Sequence, residues 1–442
     1  MEANRVSHAM RPIPFEPLLR RILDEHRERG SILEIPGSLF YRPDPGAPWA
    51  TRLFGSELAT PIGPAAGPHT QLAGNVVSAW VCGGRFIELK TVQIQDELSI
   101  PRPCIDAADE GYNVEWSQEL RLEESLREYA AAWALVHVLH RLLGFEDRVP
   151  VGTMFNMSVG YDLEGIRSPR MQRFMDSLED ASALLDPIRE VLRTRFPRFA
   201  DVEIPNRIAN SVTLSTMHGC PPDEIERIAT HLLVERGLHT TVKLNPTLLG
   251  KERLVEILHS RLGFTEIDVP DAVFAHDLTY DRARELIASL ERVAARGDRT
   301  FGVKLSNTLE VRNHRGALAG SEMYMSGRPL YPITLNLFLL LRREFRDLPV
   351  SYSAGANADN IATILAAGAC PVTVASDLLK PGGYGRLAQY LERLSVAMDA
   401  AGAPSLAAFT ADADRTLEQA AAEALDSPRY RKASAPSEAP KV

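Results

Sequence analysis

The chain has 442 residues, of which 45% are hydrophobic and 24% are charged, and this composition is typical of a folded globular protein. Its formal net charge of -9 argues against a nucleic-acid partner, since nucleic-acid binders concentrate lysine and arginine on one face. The N-terminal segment lacks the apolar core of a secretory signal, and the most apolar stretch, ITLNLFLLL, is far shorter than the ~20 residues that span a bilayer, so we expect a cytoplasmic protein without a membrane partner.

The first 59 residues precede any strand pattern. They hold one helical stretch, LLRRILDEHRERG, and a turn-rich connector, FYRPDPGAPW. We predict that residues 1–59 form an extension that packs on the bottom of the main domain. At the other end, the segment 427–442 is rich in Ala, Pro and Ser and is predicted to be a disordered tail.

Between these ends the sequence repeats one unit, a short apolar run that ends in a small or polar residue and precedes a helical pattern. Strands that alternate with helices pair in parallel, and eight of them close into a barrel. An open doubly wound sheet is the alternative, but no GxGxxG turn follows an early strand. We therefore predict an α/β fold, a (β/α)₈ TIM barrel over residues 60–426 with insertions at the top. The eight runs span residues 60–67, 85–92, 149–158, 211–217, 241–247, 300–308, 348–355 and 371–378.

Polar residues cluster where these runs end. Barrel enzymes build their sites at the C-terminal ends of the strands, so this placement predicts a site at the barrel top. Asn245 and Ser215 are predicted to contact a substrate there. The other polar strand-end residues are Lys90, Asn156, Ser158, Thr216, Lys243, Ser306, Asn307 and Thr308.

Two of these residues are lysines, and a buried lysine is costly unless its charge is paired. A lysine that reaches the barrel rim, or one that meets an internal carboxylate such as Glu88, would explain either residue alone. Because Lys90 and Lys243 occupy matching strand ends, an anionic ligand accounts better for both.

Small residues suggest where a flat ligand and its phosphate would lie. Ala65, Ala66 and Gly67 follow the first strand and leave room for a close approach to the backbone, although close helix packing would also explain them. Gly355, Ala375 and Ser376 follow the seventh and eighth strands, whose loops often bind phosphate in barrels. Ordinary turn chemistry is the alternative there.

The four cysteines, at positions 82, 104, 220 and 370, show no CxxC spacing. Neither a zinc site nor an iron–sulfur cluster is predicted from them, and disulfides are not expected in a reducing cytosol. We predict no metal site in this chain.

The segments TPIGPAAGPHT, FIELKTV, VKLNPT, KLSNT, VSYSAGAN and VTVASDLL resemble the flavin mononucleotide (FMN) barrel of the dihydropyrimidine and dihydroorotate dehydrogenases. STMHGCPPDEIERI and GGYGRL resemble more closely the N-terminal barrel of the YgfK family, named for a selenate reductase subunit. The resemblance spans about residues 60–387. It implies that FMN is held by Ala65, Ala66, Gly67, Lys90, Asn156, Lys243, Asn307, Thr308, Gly355, Ala375 and Ser376.

Two positions depart from the family pattern. The double glycine after strand 7 is Ala354 and Gly355 here, which puts the phosphate geometry in question. The catalytic cysteine that the pyrimidine enzyme carries after its fourth strand is replaced by Thr216. Cys220 and His218, in the same loop, are the alternative candidates for the acid that delivers a proton.

The resemblance implies a flavin-dependent oxidoreductase that acts on a CH–CH group of a small nitrogen heterocycle. A separate partner subunit with iron–sulfur and FAD modules that oxidises NAD(P)H would relay the electrons. A homo-oligomer is compatible with the sequence. Two alternatives stay open: a flavin-free barrel that serves as a scaffold or regulatory subunit, and a lyase or aldolase that uses Lys243 as a Schiff-base amine.

Overall fold

A computed structural model of the chain describes residues 10–95, 102–107, 110–114, 118–146, 148–215 and 220–432. Each of the eight predicted runs overlaps one strand of a parallel sheet, which confirms the predicted barrel. In chain order the strands are β1 (Ile62–Pro64), β2 (Phe86–Glu88), β3 (Met154–Val159), β4 (Ser211–Leu214), β5 (His239–Leu244), β6 (Phe301–Leu305), β7 (Val350–Tyr352) and β8 (Val372–Val374).

The strands pair in the order β1, β8, β7, β6, β5, β4, β3, β2. The longest ladder joins β5 to β6, where Lys243 pairs with Lys304. At the seam between β1 and β2, the amide of Arg85 donates to the carbonyl of Ile62 at 2.9 Å. The sheet therefore curls into a nearly closed barrel, and all eight C-terminal strand ends share one rim.

Helices pack around the sheet and bury their apolar faces against it. The longest, Leu122–Leu142, carries Glu123 and Glu124 in its first turn and Arg141 in its last turn, which complements the helix dipole. The other α-helices are Phe15–Arg29, Ala73–Val81, Leu163–Arg167, Pro169–Glu179, Ser182–Arg195, Pro222–Thr230, Lys251–Val255, Asp271–His276, Tyr280–Ala295, Leu330–Glu344, Ile361–Ala366, Arg386–Ala400, Leu406–Phe409 and Ala413–Asp426.

The hydrophobic core lies between the strands and the surrounding helices, whereas the inside of the barrel is polar towards its top. Glu88 from β2 and Lys304 from β6 form an ion pair there, and Lys304 also donates to Thr373 of β8. The side chains of Glu88 and Lys304 are both 1% exposed. The polar interior thus begins directly below the strand ends.

The N-terminal extension contacts the opposite, N-terminal rim of the barrel. Its amide at Ala59 donates to Gly152, just before β3, at 2.9 Å. The buried guanidinium of Arg85 lies over the rings of Tyr41 and Trp80, 4.9 and 4.5 Å from their centroids. Such cation–π contacts favour a buried cation. Two short hairpins complete the extension: Ser31–Ile32 with Ile35–Pro36, and Thr51–Leu53 with Ser56–Leu58.

A four-stranded antiparallel sheet contributes to the top of the barrel. It combines a hairpin inserted after β6 with a second hairpin from the long segment after β2. Insertions at the barrel top were predicted from the sequence, but their pairing into one sheet was not. We call this sheet the top sheet, and its strands in spatial order are Leu309–Arg312, Glu322–Ser326, Gly111–Asn113 and Ile105–Ala107.

Ordered structure continues past the predicted start of the tail at residue 427. Pro428–Tyr430 forms a short 3₁₀ turn, and Tyr430 is only 6% exposed. Its ring packs on Tyr331 with 4.7 Å between the centroids. Residues 427–432 therefore belong to the folded barrel.

Among the described helices, none combines the length and the apolar character needed to cross a membrane.

Candidate functional site

A pocket opens at the C-terminal ends of the strands, with part of the top sheet on its wall. Its volume is about 1310 Å³, including the open mouth.

Most of the predicted site residues line this pocket. Asn156, Asn245 and Cys220 are not among its lining residues, and Thr216 and His218 lie outside the described part of the chain. The predicted residues that line the pocket are Ala65, Ala66, Gly67, Lys90, Ser215, Lys243, Asn307, Thr308, Gly355, Ala375 and Ser376.

The partner of Glu88 is Lys304, not either of the lysines that the sequence singled out. Burial alone would raise the pKa of Glu88, but the nearby charges of Lys304 and Lys243 outweigh it and the net shift is downward. Glu88 therefore lies within a cluster of three lysines, Lys90, Lys243 and Lys304. Glu119 also acts on Lys90, so this cluster meets two carboxylates, and an anionic ligand would bring it further negative charge.

Two of these lysines line the pocket. Burial, assisted by the charge of Lys243, lowers the pKa of Lys90 to about 7, against the opposing effect of Glu119. Burial also lowers the pKa of Lys243 to about 8, with Glu88 acting in the opposite direction. Both ammonium groups are thus poorly stabilised by the protein alone, as expected of groups that meet an anion.

Asn156 lies inside the barrel wall. Its side-chain nitrogen donates to Thr213 at 2.8 Å and to the carbonyl of Met157 at 3.0 Å. Its side-chain oxygen accepts from Ser211 at 2.8 Å. The amide therefore joins β3 to β4 below the pocket. Asn245, at the end of β5, begins the 3₁₀ turn Pro246–Leu249.

The segment after β1 forms one wall of the pocket. The Ala66 amide donates to Glu88 at 2.9 Å, which ties this wall to the lysine cluster. A side chain at Gly67 would place its Cβ 2.7 Å from the ring of His69. Only glycine leaves both the ring and the backbone where they are.

The loops after β7 and β8 form the other end of the pocket. Ala354 and Gly355 both adopt left-handed backbone conformations, with φ of 65° and 74°. An alanine rarely takes this conformation, so the backbone keeps the form expected of a double glycine despite the substitution. Asn360 holds the loop by donating to the Gly355 carbonyl at 3.0 Å and accepting from the Asn357 amide at 2.8 Å.

Side chains from the top sheet reach the same end. Ser326 and Ser376 share a hydrogen bond of 2.7 Å. Arg328, two residues after the strand Glu322–Ser326, pairs with Glu110 at 2.5 Å and lines the pocket. This end therefore combines hydroxyl groups, a guanidinium and left-handed backbone, a set suited to a phosphate.

Cys220 precedes the helix Pro222–Thr230 and is partly buried. Burial, together with the charges of Glu224 and Asp162, raises the pKa of its thiol to about 12. The thiol therefore stays protonated at neutral pH and is not a ready nucleophile.

Several pocket residues were not predicted from the sequence. His69 lies in TPIGPAAGPHT, one of the segments that carry the family resemblance, but no role was predicted for it. Arg328 and Asn113 were missed because they reach the pocket through the top sheet, whose strand pairing joins segments about 200 residues apart in sequence. A polar residue in a long segment at the barrel top was the available signal for Asn113.

Comparisons with known proteins agree with this architecture. The family described as "Oxidoreductase YgfK, N-terminal TIM-barrel domain" matches residues 33–432. The YgfK proteins of Escherichia coli K12 and O157:H7 are each 47% identical over 405 residues, which is 87% of this chain. That stretch is 39% of the relative's own length, so the chain spans well under half of these proteins.

A solved structure of a ligand-free type DHODH from Eimeria tenella has a similar fold, with a TM-score of 0.51 at 17% identity. The match covers 83% of this chain and 91% of that chain.

Proposed function

The chain belongs to the YgfK N-terminal TIM-barrel family, and from this we propose that it is the FMN-binding catalytic barrel of an oxidoreductase. The observation that carries the proposal is the pocket at the strand ends. Lys90 and Lys243 line it, residues 65–67 of one wall carry no side chain larger than a methyl group, and the opposite end, which we call the phosphate end, has groups suited to a phosphate.

Three features of this pocket fit FMN. The backbone of Ala65, Ala66 and Gly67 gives a flat ring a surface without side chains beyond a methyl group. Lys90 and Lys243 offer positive charge to the ring, which becomes anionic on reduction. Gly355, Ser376 and Arg328 face the end where a phosphate would be held.

Bound FMN would supply hydride transfer to or from a carbon–carbon bond. The chain's own residues orient the substrate and manage protons. The side-chain oxygen of Asn113 is buried without a hydrogen-bond partner in the described structure, and Asn307 lines the same pocket. Amide groups pair well with the N–H and C=O edge of a nitrogen heterocycle, so we infer this substrate class.

The proton would come from the segment after β4. Thr216, His218 and Cys220 are the proposed candidates, together with Ser215 and Asn245 as substrate contacts. Cys220 can serve only as a weak acid, because its pKa is raised to about 12. A Cys220→Ser variant should therefore change turnover by less than tenfold.

Electrons would reach this barrel from iron–sulfur and FAD modules that oxidise NAD(P)H on a partner subunit, in a cytoplasmic complex. The four cysteines of the chain are free in the structure. Co-purification from the native source, with iron and FAD measured in any subunit retained, tests this part of the proposal.

Replacing Lys90 and Lys243 together by Met tests the cofactor claim. Fluorescence titration with FMN should show wild-type binding and a loss of at least about 100-fold in the double variant, because two charge contacts of about 1.5–3 kcal/mol each are removed. Lys251→Met is the matched control, since Lys251 is exposed and pairs with Asp271. A scaffold that lacks flavin predicts no difference among the three proteins.

One observation favours a second candidate function. A lysine amine whose pKa is lowered to about 8, as for Lys243, could form a Schiff base with a carbonyl substrate. Borohydride with small aldehydes or ketones would trap such an adduct on Lys243. No adduct is expected if the pocket is a flavin site.

A further inference from the structure

His69 is held in place by its backbone. It lies in the 3₁₀ turn Pro68–Thr70, which Thr70 closes with hydrogen bonds to both the amide and the carbonyl of Gly67. The Tyr384 hydroxyl donates to the His69 carbonyl at 2.6 Å, and Asn75 donates to that hydroxyl at 2.9 Å. The position of the His69 backbone is therefore fixed by residues that follow β1 and β8.

The imidazole ring lines the pocket and is 7% exposed, yet neither ring nitrogen has a hydrogen-bond partner among the described residues. The carbonyl of Val374, which also accepts the Ala65 amide at 2.8 Å, lies near the ring and acts to raise its pKa as an acceptor would, but the two do not form a well-aligned hydrogen bond. A buried polar group without a partner costs about 1–3 kcal/mol. Packing alone would be served better by an apolar side chain.

The ring is built into the wall where the proposed cofactor would lie. It contacts Gly67 so closely that any Cβ there would overlap it. Lys90 lies close enough for its charge to influence the ring. Burial, with a further contribution from Lys90, lowers the pKa of His69 to about 4, so the ring is neutral at physiological pH. A neutral imidazole has one donor and one acceptor.

We propose that His69 is a cofactor-binding residue that hydrogen-bonds a polar edge of the flavin ring with its unpartnered imidazole nitrogens. This inference rests on the proposed function. It also gives a role to the GGYGRL segment, because Tyr384 is the positioning residue that fixes the His69 backbone. A lysine-lined pocket alone would bind any compact anion, whereas a neutral donor and acceptor select a polar ring edge.

FMN titrations of His69→Leu and His69→Gln test the proposal. Leucine fills a similar volume without hydrogen bonds, so FMN should bind about tenfold more weakly, whereas glutamine offers a donor and an acceptor and should stay within about threefold of wild type. His137→Gln is the matched control, because His137 is buried away from the pocket and bonds to Trp133. The visible absorption bands of bound FMN should shift in His69→Leu and not in the control.

Equal FMN affinity and identical spectra for wild type and His69→Leu would overturn this inference and leave the proposed function standing. A wild-type protein that binds no FMN would overturn both. If His69→Leu does not fold, as judged by circular dichroism, His69→Ala takes its place with the same expectations.

Discussion

Gly355 lies at the phosphate end of the pocket and has no room for a side chain. A Cβ there would come within 2.7 Å of the Gly327 carbonyl and 3.0 Å of Tyr331. Because the Gly327 carbonyl is a backbone group, the overlap can be relieved only if the loops themselves move. The positive φ of 74° adds strain for any other residue.

We therefore expect Gly355→Ala to reduce FMN affinity by more than about tenfold and to cost more stability than the ~1–2 kcal/mol of the left-handed conformation alone. Urea unfolding and FMN titration measure the two effects. Gly402→Ala is the control, because Gly402 has a similar φ of 61° but open space around it. Equal losses in the two variants would refute the steric argument.

The two pocket lysines predict that protein stability and the affinity for an anionic ligand change in opposite directions as the pH rises. Their pKa values, lowered to about 7 and 8, lie below the ordinary value of 10.5, so the unfolded chain binds more protons between about pH 7 and 10.5. In that range Lys90 and Lys243 make the free protein more stable as pH rises. An anionic ligand prefers the protonated lysines and should bind more weakly.

FMN affinity should accordingly fall by at least about tenfold from pH 7 to pH 9, because both lysines lose protons in that range. Titrations at a series of pH values measure this, and the second phosphate ionisation, near pH 6, lies outside the window. The slope should vanish when both lysines are replaced by Met. A pH-independent affinity in the wild type would contradict a lysine-bound anion.

The segment 427–432 was predicted to be part of a disordered tail, but it contacts residues that shape the pocket. Its Tyr430 accepts a hydrogen bond from Asn360 at 3.4 Å, and Asn360 also holds Gly355. The carbonyl of Arg429 accepts from the pocket residue Arg328 at 3.1 Å. The segment thus supports the phosphate end of the pocket through its contacts with Asn360 and Arg328.

Tyr430→Ala should lower the free energy of unfolding by about 3 kcal/mol, as for other buried aromatic truncations, and should also weaken FMN binding severalfold. Tyr430→Phe keeps the ring on Tyr331 and loses only the hydroxyl, whose hydrogen bond from Asn360 is long at 3.4 Å, so it should behave nearly as wild type. A Tyr430→Ala protein with lower stability but unchanged FMN affinity would show that the segment supports the fold alone.

The strand pairing of the top sheet could not be predicted from the sequence. The barrel strands were predictable because each is a short apolar run followed by a helix. The strand Glu322–Ser326 instead pairs with Gly111–Asn113 across the barrel top, and short strands formed by distant segments leave no periodic pattern. Arg328 and Asn113 were missed for that reason.

For the whole molecule, the barrel was predictable from the sequence, and most of the predicted site residues line one pocket because barrel geometry brings all strand ends to one rim. The ion pair within that rim was not predicted. Lys304 was not among the predicted site residues, yet it pairs with Glu88, whereas Lys90 and Lys243 line the pocket. Which lysine meets the carboxylate depends on the stagger of the strands, which no single strand encodes.

The central claim is that this pocket binds FMN, and equilibrium titration of the purified wild-type chain tests it most directly. We predict one FMN per chain, with quenched flavin fluorescence, shifted visible absorption bands and a higher unfolding temperature. A folded protein that binds no FMN, as purified or after addition of excess flavin, would contradict the account.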